Sequence, residues 1–166
     1  PQLKLADIGL INFRDGRNEV TVYKSGSEWR VKERADYPAD AGRLADMLNK
    51  IIDLKIVQTE KLTAQQLPGF QLVNPGKAGG MPASGGGTIL EMKDAGGKPL
   101  ARLLLGKIVT KRVFESKIPG EPPEEFDKPV GRHLFAGDDE ATMIVVTDGL
   151  VQADAAPDTW LFKEAL

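Results

Sequence analysis

Within its first third the chain changes hydrophobic period once, and that change restricts the folds open to it. Residues 19–24 (EVTVYK) alternate, with Val20 and Val22 on one side and Thr21 and Tyr23 on the other. Residues 28–34 (EWRVKER) alternate as well, Trp29, Val31 and Glu33 against Arg30, Lys32 and Arg34. Before them, residues 8–13 (IGLINF) are apolar and run into Arg14-Asp15-Gly16-Arg17-Asn18, a strong turn signal, and Ser25-Gly26-Ser27 supplies the next turn. These spacings predict a three-stranded antiparallel meander with one buried and one charged face. The period then lengthens: Leu44, Met47, Leu48, Ile51 and Ile52 recur at helical spacing as a single apolar stripe, with Arg43, Asp46, Asn49, Lys50 and Asp53 on the solvent side. Pro38 fits the first helical position, and Asp40 fits the first turn, facing the positive end of the helix dipole. A sheet with one apolar face followed by a helix with one apolar stripe predicts an α+β domain: an antiparallel sheet with one main amphipathic helix packed on it.

The remainder extends that sheet. Residues 55–59 read as a short strand or exit segment, and residues 63–67 as a helical turn that Pro68-Gly69 ends. Residues 88–93 and 99–106 predict a hairpin about Asp94-Ala95-Gly96-Gly97, which residues 110–115 continue. Residues 132–136 and 141–147 predict a second hairpin, turned by Gly137-Asp138-Asp139-Glu140. Two stretches carry no period. Residues 74–87 hold six glycines and two prolines, and residues 116–131 hold four prolines among scattered charges. Both are expected to be long mobile loops, since neither can offset its ordering entropy by burial. The length, 166 residues, suits one domain spanning 1–166 that forms a core without a disulfide or metal staple. The chain starts inside a strand-like stretch, residues 3–13, and no apolar run or leader could cross or enter a bilayer. It is therefore expected to be a fragment of a longer chain, any export or anchor sequence having been lost with the missing part.

Composition excludes several chemistries. There are no cysteines, which removes thiolate nucleophiles, cysteine zinc sites, iron–sulfur ligation and disulfides together. His133 is the single histidine, so imidazole-based metal sites are starved of ligands. Twenty-two basic against 24 acidic side chains give a net charge of -2, unsuited to a general nucleic-acid binder.

The candidate sites each meet a plainer alternative. Gly76-Lys77 suggests a phosphate loop, but Ala78 stands where the hydroxyl belongs and no helix follows. Asp138, Asp139 and Glu140, with Asp148 and Asp154 downstream, could offer oxygen ligands, yet calcium-loop spacing is missing and a solvated acidic turn is the simpler reading. His133 lacks a nucleophile in a Gly-x-Ser-x-Gly elbow; Ser25, Ser27, Ser84 and Ser116 all fall in turns or loops. Residues 98–117 carry Lys98, Arg102, Lys107, Lys111, Arg112 and Lys117 against Glu115, whereas residues 121–140 carry seven acids against Lys128 and Arg132. The basic face could approach anionic lipid or an acidic partner, but mutual neutralisation across the sheet is the favoured reading. Trp29 alternates with charged neighbours and is expected in the core; for Trp160 the pattern decides nothing. No residue is assigned as catalytic, cofactor-binding or metal-ligating.

Several of these segments together resemble a known family. Glu28-Trp29-Arg30-Val31, then Tyr37-Pro38-Ala39-Asp40, then a helix with Leu44, Leu48 and Leu54 are similar to the bacterial family labelled domain of unknown function 4340. Gly85-Gly86-Gly87-Thr88, Leu103-Leu104-Leu105-Gly106, Gly131-Arg132-His133 and Trp160-Leu161 extend the resemblance over most of the chain. Residues 74–87 and 116–131 are longer than the family pattern requires. The resemblance implies an envelope protein held by an N-terminal transmembrane helix, its soluble part on the extracytoplasmic, periplasmic face. It also implies an auxiliary role beside ABC-type permeases, including those linked to gliding motility, with no catalytic residue to carry over. The first functional expectation is thus a non-enzymatic, cofactor-free module that binds a membrane protein such as an ABC-type permease. The second is a module for an envelope ligand, glycan or peptide, and the third a hydrolase whose acids the sequence does not single out.

Overall fold

The structure, a computed structural model, describes residues 3–76, 79 and 84–163. Leu10–Arg14 (β1), Glu19–Ser25 (β2) and Glu28–Val31 (β3) form the expected antiparallel meander, with Ile11, Phe13, Val20, Val22 and Val31 fully buried on one face. Its ends differ from expectation. Residues 3–13 are not one strand: Leu5–Asp7 makes a 3-10 turn before β1 begins. β3 stops at Val31, and Lys32–Arg34 is again a 3-10 turn, so Glu33 leaves the alternation and its carboxylate accepts the Thr21 N–H at 2.7 Å. Pro38 is not a helical residue. It lies in the two-residue strand Tyr37–Pro38 (β4), opposite Arg30 on the sheet edge, where a missing N–H breaks no ladder. The helix Ala41–Ile52 (α1) instead starts from Asp40, whose side chain caps the Arg43 N–H at 3.1 Å.

Ile56–Lys61 (β5), Thr88–Lys93 (β6), Pro99–Glu115 (β7), Glu124–Ala136 (β8) and Thr142–Val146 (β9) complete a single sheet in the order β4-β3-β2-β1-β6-β7-β8-β9-β5. Every strand pairing in it is antiparallel. The α+β architecture, one helix on one antiparallel sheet, is as the sequence predicts. Pleat alternation divides the interior into two layers. Leu90, Met92, Leu105, Leu134 and Val146 join the meander and Leu44, Met47 and Leu48 of α1 in the larger one. Ile89, Leu104, Phe135, Met143 and Val145 point the other way and are covered by Leu62, Leu67, Phe70 and Leu72. The covering segment contains the expected turn, Ala64–Gln66, closed by a reciprocal Thr63/Gln66 cap, but Pro68-Gly69 opens a second turn, Pro68–Phe70, rather than ending it.

Two expected loops need correction. Of residues 74–87, Lys77, Ala78 and 80–83 lie outside the described residues. The C-terminal end of that stretch is packed: Gly86 bridges Val73, and a Cβ on Gly87 would meet the Gln71 and Leu105 carbonyl oxygens at 2.6 Å. Residues 116–131 are not one long loop, since β8 already begins at Glu124. Pro129 is tolerated inside it because it sits opposite Thr110, beside a register shift, where β8 has no partner on its other side.

The C-terminal segment closes the larger layer. Trp160, whose role the pattern left undecided, is 0% exposed. It stacks on Phe13 at 5.0 Å, carries the Arg43 guanidinium over its ring at 5.1 Å, and donates from Nε1 to the Asp154 carbonyl at 2.7 Å. Trp29, expected in the core, is only half-buried at its edge.

Candidate functional site

Of the residues flagged by the sequence, His133, Asp139, Asp148 and Asp154 serve local structure, while Lys77 and Ala78 of the suggested phosphate loop lie outside the described residues. His133 Nδ1 lies 2.8 Å from the Lys107 carbonyl, which can only accept, so Nδ1 carries the proton. The ring leans on Phe70 at 5.1 Å, and among the described residues no serine hydroxyl bonds to it. Asp139 accepts the Ala141 and Thr142 N–H groups at 2.9 and 3.0 Å, and those bonds hold its carboxyl below the usual range. Asp148 caps the Leu150 N–H at 2.7 Å, steadying a buried leucine in left-handed backbone. Asp154 binds the Ala156 N–H and the Thr159 hydroxyl. Among the described residues no three His, Asp or Glu side chains converge to hold a metal ion.

Arg132 is the buried cation that pattern reading passed over. It is 9% exposed and donates to the carbonyls of Gly106 (2.6 Å) and Gly149 (3.0 Å), with no carboxylate partner among the described residues. Burial pulls its pKa down to about 10. Its task is positional: it ties the root of β8 to the β7 irregularity at Gly106 and to the segment after β9.

Beyond that root the sheet narrows to two strands. β6 leaves β7 at Leu105, and β9 leaves β8 at Arg132, yet β7 and β8 remain paired from Thr110–Pro129 to Glu115–Glu124. This ribbon is roughly 20 Å long at the usual rise per residue. One face pairs Val113 with Phe126 beneath Lys117, whose Nζ stands 4.8 Å from the Phe126 centroid. Ion pairs Lys128–Glu115 (2.9 Å), Lys117–Glu124 (3.3 Å) and Arg112–Asp127 (3.4 Å) neutralise the basic and acidic stretches as the sequence suggested. On the other face Phe114 is 71% exposed, and Ile118 at the tip is 58% exposed. The legible signal would have been opposite charges at matched distances from a proline-rich turn, with Phe114 and Phe126 on opposite faces.

Two concave regions lie on the body. A cleft of about 450 Å³ opens between the Ala35-Asp36 turn and the β6–β7 turn. Its floor includes Tyr23, whose hydroxyl donates to Asp36 at 2.6 Å, and that bond to a carboxylate raises the phenol pKa. Ala35 and Asp36 both have positive φ, a strained arrangement for two non-glycine residues. A second groove, about 370 Å³, runs beside α1 and Trp29. The outer edge of β5 is also open, with Ile56 and Val57 more than half exposed. No helix of the described residues is long and apolar enough to cross a membrane. Compared with protein-family models, curated proteins and solved structures, the chain matches none.

Proposed function

We propose that this chain is a non-enzymatic interaction module, extracytoplasmic and auxiliary to a membrane transport complex of the ABC type, and that the β7–β8 ribbon is the arm that engages its protein partner. The supporting observation is the ribbon itself: an arm free of both neighbouring strands, with Phe114 and Ile118 exposed beyond any layer of its own domain. A large exposed aromatic flanked on its own face by the Arg112 pairs to Glu125 and Asp127 has the make-up of an interface anchor. The extracytoplasmic setting and the permease partner rest on the sequence resemblance alone. The test is a photo-crosslinking residue at Phe114 in the full-length protein in cells, with a second at Lys50, partly exposed on α1 and remote from the ribbon in sequence, as control. Capture of one permease component from Phe114 and not from Lys50, lost in Ile118→Asp, is the expected result. Equal capture from both sites, or none from either, overturns the reading.

The cleft at Tyr23 favours a second reading, a module for an envelope glycan or peptide, because it is concave and carries an aromatic floor with polar groups at its rim. Chemical-shift changes centred on Tyr23 and Asp36 on adding envelope glycan fragments would support it.

A further inference from the structure

We propose that the groove beside α1 is a binding site for a single-chain amphiphile with an anionic head, namely a free fatty acid. Its walls are Leu5, Trp29, Leu44, Ala45 and Leu48, and its one charged lining residue is Lys24. The volume, about 370 Å³, is at the small end of those that hold ligands. The groove exists because α1 presents small Ala41 and Ala45 one turn apart towards Trp29, leaving a gap that a larger side chain would fill. The β2–β3 register sets Lys24 directly opposite Trp29, and its exposed side chain lines this slot as well as the neighbouring Tyr23 cleft.

The chemistry of the lining selects the occupant. A peptide or sugar would bury several amides or hydroxyls that only Lys24 and the Trp29 indole N–H could meet, and unmet polar groups are costly to bury. An alkyl chain has none. Lys24 pairs with no carboxylate among the described residues, whereas the nearest acid on its hairpin, Glu28, is already held by Arg30 at 2.6 Å. A carboxylate head at Lys24 with its chain along Leu44 and Leu48 satisfies both features at once. This site is remote in sequence from the ribbon and does not depend on what the ribbon binds.

The chain carries its own reporter. Trp29 lines the groove, while Trp160 is sealed in the core and supplies a constant background. Dodecanoate, titrated well below the concentration at which it forms micelles, should give a saturable change in Trp29 emission that Trp29→Phe abolishes. Lys24→Met should weaken dodecanoate binding about tenfold, the loss of one charge-assisted contact, and leave dodecanol binding unchanged. Ala45→Phe should abolish both while retaining the thermal midpoint. Should that variant misfold, paramagnetic broadening of the Leu44, Ala45 and Leu48 methyl signals by a nitroxide-labelled fatty acid tests the site in the unaltered protein. No saturable response, a response only once micelles form, or broadening spread over the whole surface overturns the site. Dodecanoate binding indifferent to Lys24→Met overturns the anionic head.

Discussion

The body of the sheet and the β7–β8 ribbon share two strands but are held by different means. In the body, Leu103 and Leu105 of β7 face the layer under α1 while Leu104 faces the layer under Leu72, so successive residues of one strand are covered on opposite sides. Past Gly106 the same strand loses its second neighbour, and past Val109 it has left both layers. What remains there, besides the β7–β8 ladder itself, is a cross-strand apolar pair, one cation–π contact and exposed ion pairs. Burial supplies about 25 cal/mol per Å² in the body, whereas an exposed ion pair contributes roughly 0–1 kcal/mol. The body therefore sets stability, and the ribbon is free to present side chains that stability does not need.

The comparison breaks if substitutions do not separate along that line. Trp160→Ala should be the most damaging, losing about 3–5 kcal/mol in urea unfolding, against about 1 kcal/mol for half-buried Trp29→Ala; equal losses would mean Trp160 is not the keystone. Arg132→Met should lose about 2–3 kcal/mol by leaving the Gly106 and Gly149 carbonyls unpaired, and amide exchange should quicken first at the ribbon root. Lys117→Ala should cost about 0.5–1 kcal/mol and be confined to the ribbon, read as faster exchange at Phe126. Phe114→Asp should alter stability by less than about 0.5 kcal/mol yet eliminate partner capture; a large unfolding effect would place Phe114 in the body's economy instead. The smallest effect belongs to Asp139. Its folded pKa lies below the ordinary 3.8, so its contribution is present above that pH and fades as acid takes the pH through the folded value. Carboxyl titration by NMR, with Asp139→Asn as the flat control, checks the sign.

Much of this was legible because it was local. Alternation at Val20 and Val22 and the stripe at Leu44, Met47 and Leu48 named the buried faces correctly, and matched charges at residues 98–117 and 121–140 foretold the ribbon's ion pairs. The sequence places Asp40 in the first turn, and it is the cap itself. The prolines misled: Pro38 and Pro129 look like a helix start and a loop, and both are strand residues.

The sequence by itself determined the meander, the main helix and the α+β class, because hydrophobic period and turn chemistry act over a few residues. Only the tertiary structure decided which tryptophan is sealed in the core, since Trp160 sits in an aperiodic segment and is buried by Phe13 and Arg43, far away along the chain. It alone decided that residues 124–131 are a strand, because Pro129 is harmless only on a strand side with no neighbour. It also opened the groove at Trp29, which exists only where α1 comes to rest on the β2–β3 hairpin. Burial and edges are relations between distant segments, and no local pattern encodes which segment will arrive.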